Sequence, residues 1–374
     1  MAGVRLENIT KHYIPPVGTP DSHPISGLMD ISLSIADGET VSVVGPSGCG
    51  KSTLLKVIAG LEFADEGRIL YNHVDVTRMA PQARGVGMVF QDYALYPSKE
   101  GEDNLGYYFE VRKKTPEEKE RRLRETAEMM GIGFELLMDR KVDTLSGGEK
   151  QRVGIARCIV REPNVFLMDE PISNLDAKLR ESTRTEIKKL LKKFGITTLY
   201  VTHDQQEAIF MGDRIAVMRL GRLEQIGTFD ELYYLPANLF VATLIGTPPL
   251  NVLAAEVRGG QLVVGGVTLP LPGELVEGLP AGALRLGVRP EGWQVDPQPG
   301  SGIVMQITRV ERLYTERAAF ASGQVGGVNV NVLVPLDFPE SLKTIGLQPD
   351  WTQAYFFGAA GEEALRTPGV PELF

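Results

Sequence analysis

Gly45-Pro46-Ser47-Gly48-Cys49-Gly50-Lys51-Ser52 fits the spacing G-x-x-x-x-G-K-[ST], a pattern that restricts a fold more tightly than anything else in the chain. Apolar Val41-Ser42-Val43-Val44 precedes it and Leu54-Leu55-Lys56-Val57-Ile58 follows, so the spacing predicts a strand, a glycine-rich turn and a helix. Glycines let such a turn fold its N–H groups around a polyphosphate. Lys51 brings a point charge to the outer phosphates and the Ser52 hydroxyl can ligate Mg²⁺. A turn that only reversed the chain would need neither side chain. The stretch reads as a nucleoside triphosphate site in an α/β domain.

The chain has 374 residues, more than one core usually serves, so two domains are expected. A net charge of −9 leaves no basic footprint for nucleic acid, and DNA binding is not expected. The first residues lack the apolar core of a signal peptide, and no run of about 18 apolar residues offers a membrane span. Cys49 and Cys158 are the two cysteines, too few for a disulfide framework. Cys49 lies within the phosphate loop, where a thiol has to stay reduced, so a cytosolic setting is expected.

Residues 4–13 and 29–44 have strand patterns, clearest where Ile31-Ser32-Leu33-Ser34-Ile35 alternates ahead of the Asp37-Gly38 turn. They suit an antiparallel flank to the nucleotide core. Between them, Pro15-Pro16, Gly18, Pro20, Pro24 and Gly27 mark a loop, and Tyr13 just before it can stack on a base or pack beneath the loop. Gly67–Tyr71 and Val86–Phe90 are further strands, the second ending at Gln91. Tyr93, Leu95 and Tyr96 follow in a loop with no evident core role, and an exposed apolar patch is expected there.

Thr115-Pro116-Glu117-Glu118 has capping-box spacing with proline at the first helical position, and residues 100–162 look largely helical. Ser146 is the candidate N-cap of the helix that Gly147-Gly148-Glu149 opens, and two glycines in its first turn suggest a backbone brought close to an anion. Val165-Phe166-Leu167-Met168 is a buried-type strand that delivers Asp169 and Glu170. Beside a phosphate loop, the first acid can hold Mg²⁺ and the second can face an attacking water. The amphipathic helix at 178–194 feeds strand 197–201, which ends at Thr202-His203-Asp204, where His203 can reach a terminal phosphate. A hairpin at 215–226 closes this part. Beyond about residue 240, short strand runs between Gly- and Pro-rich turns give an all-β texture, with the junction expected within 232–249.

The ordered set over residues 4–250 resembles the ATP-binding subunits of ABC transporters: the phosphate loop at 45–52, Gln91, Leu145-Ser146-Gly147-Gly148-Glu149, the strand ending at Asp169, Glu170, Ser173-Asn174-Leu175-Asp176, and His203. Tyr200-Val201-Thr202-His203-Asp204-Gln205, Pro236–Ala242 and Gly287-Val288-Arg289-Pro290-Glu291 narrow the likeness to the sugar-import branch typified by the maltose transporter ATPase. The signature has Glu149 where glutamine is commoner, and either residue completes a capping box.

The resemblance implies an α/β, P-loop NTPase domain of the ABC type over 1–239, with a helical subdomain at about 95–163. A smaller all-β, OB-like regulatory and dimerisation domain (TOBE type) is implied for 240–374. It implies ATP and Mg²⁺ as cofactors, with Gly45, Ser47, Gly48, Cys49, Gly50, Lys51, Ser52 and Thr53 around the phosphates and Tyr13 at the base. Ser52, Gln91 and Asp169 would attend the metal, Glu170 would act as general base, Gln91 would sense metal and water, and His203 would contact the γ-phosphate. Ser146, Gly148 and Asp176 would serve the nucleotide at a dimer interface. The implied assembly is a homodimer on the cytoplasmic face of the membrane, beneath two membrane-spanning permeases fed by an extracellular solute-binding protein. Tyr93, Leu95 and Tyr96 would receive a short helix from each permease. Polyamine, iron or glycerol phosphate stand as alternatives to sugar. A soluble ABC ATPase of DNA repair or ribosomes lacks support, since neither a coiled-coil insertion nor a second cassette is present. A nucleotide-sensing protein without hydrolysis is disfavoured by Glu170 and His203.

Overall fold

The computed structural model describes residues 2–13, 25–298, 300 and 302–368. The chain divides into two compact units, Met1–Ile226 and Gly227–Phe374, with the division ahead of the expected 239/240 boundary. The expected Pro- and Gly-rich loop lies mostly outside the described residues, at 14–24.

In the first unit, β1 (Val4–Tyr13), β2 (Ile25–Ile35), β3 (Thr40–Val44) and α1 (Lys51–Ala59) are followed by β4 (Glu66–Tyr71), β5 (Val74–Asp75), α2 (Pro81–Arg84) and β6 (Val86–Val89). The strand expected from residue 29 therefore starts earlier, at Ile25, where it pairs with Tyr13. A helical stretch comes next, with α3 (Gly101–Val111), α4 (Pro116–Met130), α5 (Glu135–Met138) and α6 (Gly147–Ile159). The unit ends with β7 (Val165–Asp169), α7 (Ala177–Phe194), β8 (Thr197–Val201), α8 (Gln205–Met211), β9 (Arg214–Arg219) and β10 (Arg222–Gly227).

Two sheets result. One is antiparallel, in the order β2-β1-β4-β5, as expected for the flank. The other runs β10-β9-β3-β8-β7-β6, and β6, β7, β8, β3 and β9 are parallel. Side chains alternate across a strand, so each central strand feeds two cores. Val165, Leu167, Leu199 and Val201 join α1 and the antiparallel sheet in one core. Phe166, Met168 and Tyr200 join α3, α4, α6 and α7 in the other. Leu220 and Gly221, both at positive φ (49° and 78°), make the two-residue turn between β9 and β10.

Local signals account for the helix ends. Thr115 Oγ1 accepts from the Glu118 amide at 3.2 Å, with Pro116 at the first position of α4. Ser146 and Glu149 form a reciprocal capping box on α6, with the Ser146 amide donating to Glu149 Oε2 at 2.8 Å.

The second unit opens with α9 (Phe229–Tyr234) and α10 (Leu239–Leu244). Strands β11 (Asn251–Arg258), β12 (Gln261–Val264) and β13 (Val267–Pro270), helix α11 (Gly273–Gly278), and strands β14 (Gly282–Val288), β15 (Trp293–Asp296) and β16 (Ile303–Leu313) follow. The unit continues through β17 (Ala318–Val325), β18 (Val328–Pro335), β19 (Thr344–Pro349), β20 (Ala354–Gly358) and β21 (Ala364–Arg366). The strands form two antiparallel sheets, β13-β12-β11-β14-β20-β21 and β15-β19-β16-β17-β18, which share one hydrophobic core. The all-β texture read from the sequence is what folds.

Buried Arg289 fastens α9 and α10 within this unit. Its guanidinium donates to the carbonyls of Ala242 (3.0 Å), Ile245 (2.6 Å) and Tyr233 (3.0 Å) and stacks 3.9 Å from the centre of the Tyr233 ring. The Gly287–Glu291 motif therefore has a structural role that composition alone does not reveal.

Candidate functional site

Parallel strands bring their carboxyl ends to one edge, and ligands of open α/β sheets gather there. Register places Val89 beside Met168 and Asp169 beside Val201. Gln91, Glu170 and His203 therefore leave neighbouring strands within two residues of the sheet edge, and β3 enters the phosphate loop nearby.

The loop has room only for glycine at two close approaches. A Cβ on Gly45 would lie 2.2 Å from the Met218 carbonyl oxygen, and one on Gly50 (φ 105°) would lie 2.4 Å from that of Gly27. Lys51, 7% exposed, curls back so that Nζ donates to the Gly45 and Pro46 carbonyls at 2.8 and 3.0 Å. Ser47 and Gly48 are exposed at the loop's crest. Helix α1 has no side-chain cap and no acid in its first turn, so the positive end of its dipole is uncompensated by the chain. That combination fits an anionic phosphate group.

Cys49 points inward. It is 3% exposed, its thiol is pushed up by burial despite Lys51 nearby, and its amide donates to the Pro46 carbonyl at 3.2 Å. Thr53 Oγ1 lies 3.3 Å from the Tyr13 hydroxyl, which also donates to Glu62. The Tyr13 ring lies close against Gly27, where a Cβ would come within 2.6 Å of it.

Ser52 Oγ donates to Asp169 Oδ1 at 3.2 Å. Burial pushes the Asp169 carboxyl up; the Ser52 bond lowers it, the Glu170 charge raises it again, and Lys56 and Lys51 offset this in part. A carboxylate so placed is suited to a cation. Among the described residues no group of three or more His, Cys, Asp or Glu is arranged to hold a metal. Mg²⁺ needs no such cage, because one or two protein oxygens plus substrate phosphates and water suffice. The donor set fits it.

Glu170 has left-handed backbone (φ 46°), its amide donates to the Val201 carbonyl at 2.9 Å, and its Oε2 lies 3.0 Å from His203 Nδ1. A non-glycine residue in that region is strained, and such strain often marks a functional position. Gln91 is exposed, with its carbonyl accepting from Asn174 Nδ2 at 2.9 Å.

Ser146, Gly148 and Asp176 serve this chain's own packing. The hydroxyl of Ser146 caps α6, and Asp176 Oδ1 caps α7 by accepting from the Leu179 amide at 3.0 Å. Leu179 lies 3.2 Å from where a Cβ on Gly148 would be, and Leu175 lies 2.8 Å from one on Gly147. Both glycines thus let the start of α6 sit against the segment that follows Glu170. No described hydrogen bond joins these residues to the phosphate loop.

The exposed patch expected at Tyr93, Leu95 and Tyr96 is corrected by the structure. Tyr93 is buried against α6 and Leu95 is half-buried in the helical core, while Tyr96 is exposed and stacks edge-on with Tyr107. The apolar surface lies beside them, in a groove of about 400 Å³ whose lining includes Leu61, Met88, Phe90, Tyr96, Tyr107 and Val111. Arg157, also in that lining, donates to the carbonyls of Ala94 (2.6 Å) and Tyr93 (3.3 Å). Sequence reading missed Arg157 and Asn174 as anchors because their partners are backbone carbonyls, which leave no pattern in the side chains.

Comparison with known proteins gives a consistent picture. Residues 28–173 match the family described as ABC transporter. An sn-glycerol-3-phosphate import ATP-binding protein of Roseobacter denitrificans is 42% identical over 88% of this chain and 87% of its own. The trehalose/maltose import ATP-binding protein of Thermococcus litoralis is 43% identical over 88% and 90%, and the diacetylchitobiose uptake system ATP-binding protein of Streptomyces coelicolor is 38% identical over 98% and 100%. Among solved structures, a dimeric post-hydrolysis ATP-binding cassette bound to ADP and Pi is 33% identical, covering 60% of this chain and 98% of its own with a TM-score of 0.51. No described helix is long and apolar enough to cross a membrane.

Proposed function

Because the chain belongs to the ABC transporter family as the ATP-hydrolysing subunit of an importer, we propose that it drives sugar uptake with the residues at this sheet edge. The observation that carries the reading is Glu170 Oε2 held 3.0 Å from His203 Nδ1, next to the Ser52–Asp169 pair. Lys51 and the loop amides hold the phosphates of ATP, and Tyr13 lies at the base. Ser52 and Asp169, with Gln91, attend Mg²⁺, which when bound offsets charge on the phosphates. Glu170 takes a proton from water as its oxygen attacks the γ-phosphorus and ADP departs. His203 keeps the carboxylate oriented and reaches the γ-phosphate.

The site is completed by a second copy of the chain, whose Ser146 and Gly148 face the γ-phosphate across the interface. Asp176 supports that interface by fixing the start of α7. Residues 240–374 form the regulatory and dimer-retaining part. The groove lined by Tyr96, Tyr107 and Val111 receives a short helix from each of two permeases, which sets the protein on the cytoplasmic face of the membrane. An extracellular solute-binding protein supplies the solute. Glycerol phosphate is the second reading, favoured by the import protein of Roseobacter denitrificans.

Glu170→Gln tests the chemistry. In the full-length protein, phosphate release should fall by about a hundredfold or more, while light scattering shows ATP-dependent dimers that persist. Near-parental hydrolysis would remove Glu170 as the base. Val111→Asp, at a position 61% exposed, tests the groove: co-purification with the permeases should be lost with ATP binding intact. Uptake of labelled sugars and glycerol phosphate by cells lacking the protein, with and without its return, decides the solute.

A further inference from the structure

We propose that Asn174 and Arg157 are positioning residues for Gln91, which they hold in place through a left-handed bend at Tyr93 and Ala94. Both residues of the bend carry side chains yet have positive φ, 62° and 47°. Such backbone is uphill for any L-residue other than glycine, so two in succession persist only while neighbouring groups hold them. Three sets of contacts do so here.

Arg157 of α6 spreads its guanidinium over the Ala94 and Tyr93 carbonyls, at 2.6 and 3.3 Å. The Tyr93 ring is buried along α6, where a Cβ on Gly147 would lie 3.8 Å from its hydroxyl and one on Gly154 would lie 3.8 Å from its Cβ. Asn174 Nδ2 donates to the Gln91 carbonyl, just ahead of the bend, at 2.9 Å. Asn174 belongs to the turn that follows Glu170, and its neighbour Ser173 donates Oγ to the Glu170 carbonyl at 2.9 Å. The segment that carries the general base and the segment that carries Gln91 are thereby joined by one side-chain amide. Movement of the turn after Glu170 is transmitted to Gln91, and Arg157, which also lines the apolar groove, sets the other end of the same bend.

This inference rests on the reading that Gln91 takes part in hydrolysis. The test uses the full-length protein. Asn174→Asp keeps the size and removes the N–H donor, and Arg157→Lys keeps the charge and removes the planar fork. Each should lower ATP turnover by about two- to tenfold, the loss of one hydrogen bond, with affinity for a fluorescent ATP analogue unchanged. Amide hydrogen exchange over residues 92–96 should quicken in both. Adding Ala94→Gly to Asn174→Asp should restore part of the turnover, because glycine adopts the bend without strain. Parental turnover and parental exchange in Asn174→Asp and Arg157→Lys would overturn the positioning role if Gln91→Ala is impaired. Parental turnover in Gln91→Ala would instead overturn the reading beneath it.

Discussion

Arg84→Met should destabilise the nucleotide-binding unit by about 2 kcal/mol, a figure that follows from which carbonyls lose their donors. Arg84 is 2% exposed and donates to four of them: Met79 (3.0 Å), Thr77 (2.9 Å), Val57 (2.9 Å) and Ile58 (2.8 Å). The last two lie in α1, the helix that the phosphate loop opens. Methionine fills much of the same volume and has no donor. Val57 retains the Gly60 amide at 3.2 Å and Ile58 retains the Tyr71 hydroxyl at 2.8 Å, so neither carbonyl is abandoned. The Thr77 and Met79 carbonyls have no second donor among the described hydrogen bonds. Thr77 is buried and its orphaned carbonyl costs about 1–3 kcal/mol, whereas Met79 is 36% exposed, water can replace the donor, and the loss there is about 0.5–1.5 kcal/mol, the net worth of one hydrogen bond. Relief from desolvating the guanidinium offsets part of this sum. Urea denaturation followed by far-UV circular dichroism measures the helices, most of which lie in the first unit. Fluorescence of Trp293 and Trp351 follows the second unit separately, since the chain has two tryptophans and both lie there. A loss below about 1 kcal/mol in the helical transition would refute the argument that the carbonyl network holds α1 through Arg84.

Glu149→Gln should keep the capping box and alter its pH response. The Ser146 amide, against some burial and with help from the Ser146 hydroxyl and Arg140, holds the Glu149 carboxyl below its ordinary 4.5. Its stabilising contribution is therefore complete above that value and lost as pH falls through the lower folded value, so the parent should lose stability in acid more steeply than the variant in paired urea titrations. Tyr93→Phe should be neutral or stabilising by up to about 1 kcal/mol, because the hydroxyl is buried without a hydrogen-bond partner among the described residues; a loss above that in the same urea assay would reveal a partner. Arg289→Met should cost the second unit about 2–4 kcal/mol, read from tryptophan fluorescence, with phosphate-loop nucleotide binding retained.

The sequence by itself determined the parts that depend on local spacing. The phosphate loop needs glycine where the backbone passes close to other carbonyls, the caps at Thr115 and Ser146 act over three residues, and each buried strand announces itself by a short apolar run. Asp169, Glu170 and His203 were legible because each falls within two residues of the end of such a run. Tertiary structure alone decided what the long-range partners do. Tyr93 looked like a surface aromatic, yet glycines 147 and 154, distant from it in sequence and about two turns apart on one face of α6, make the seat that buries it. Glycines 147 and 148 suggested an anion, and in this chain they also admit Leu175 and Leu179. Arg84, Arg157, Arg289 and Asn174 bind backbone carbonyls, and every residue has a carbonyl. No periodicity or motif singles out which one an arginine will reach until the sheet order has set the distances.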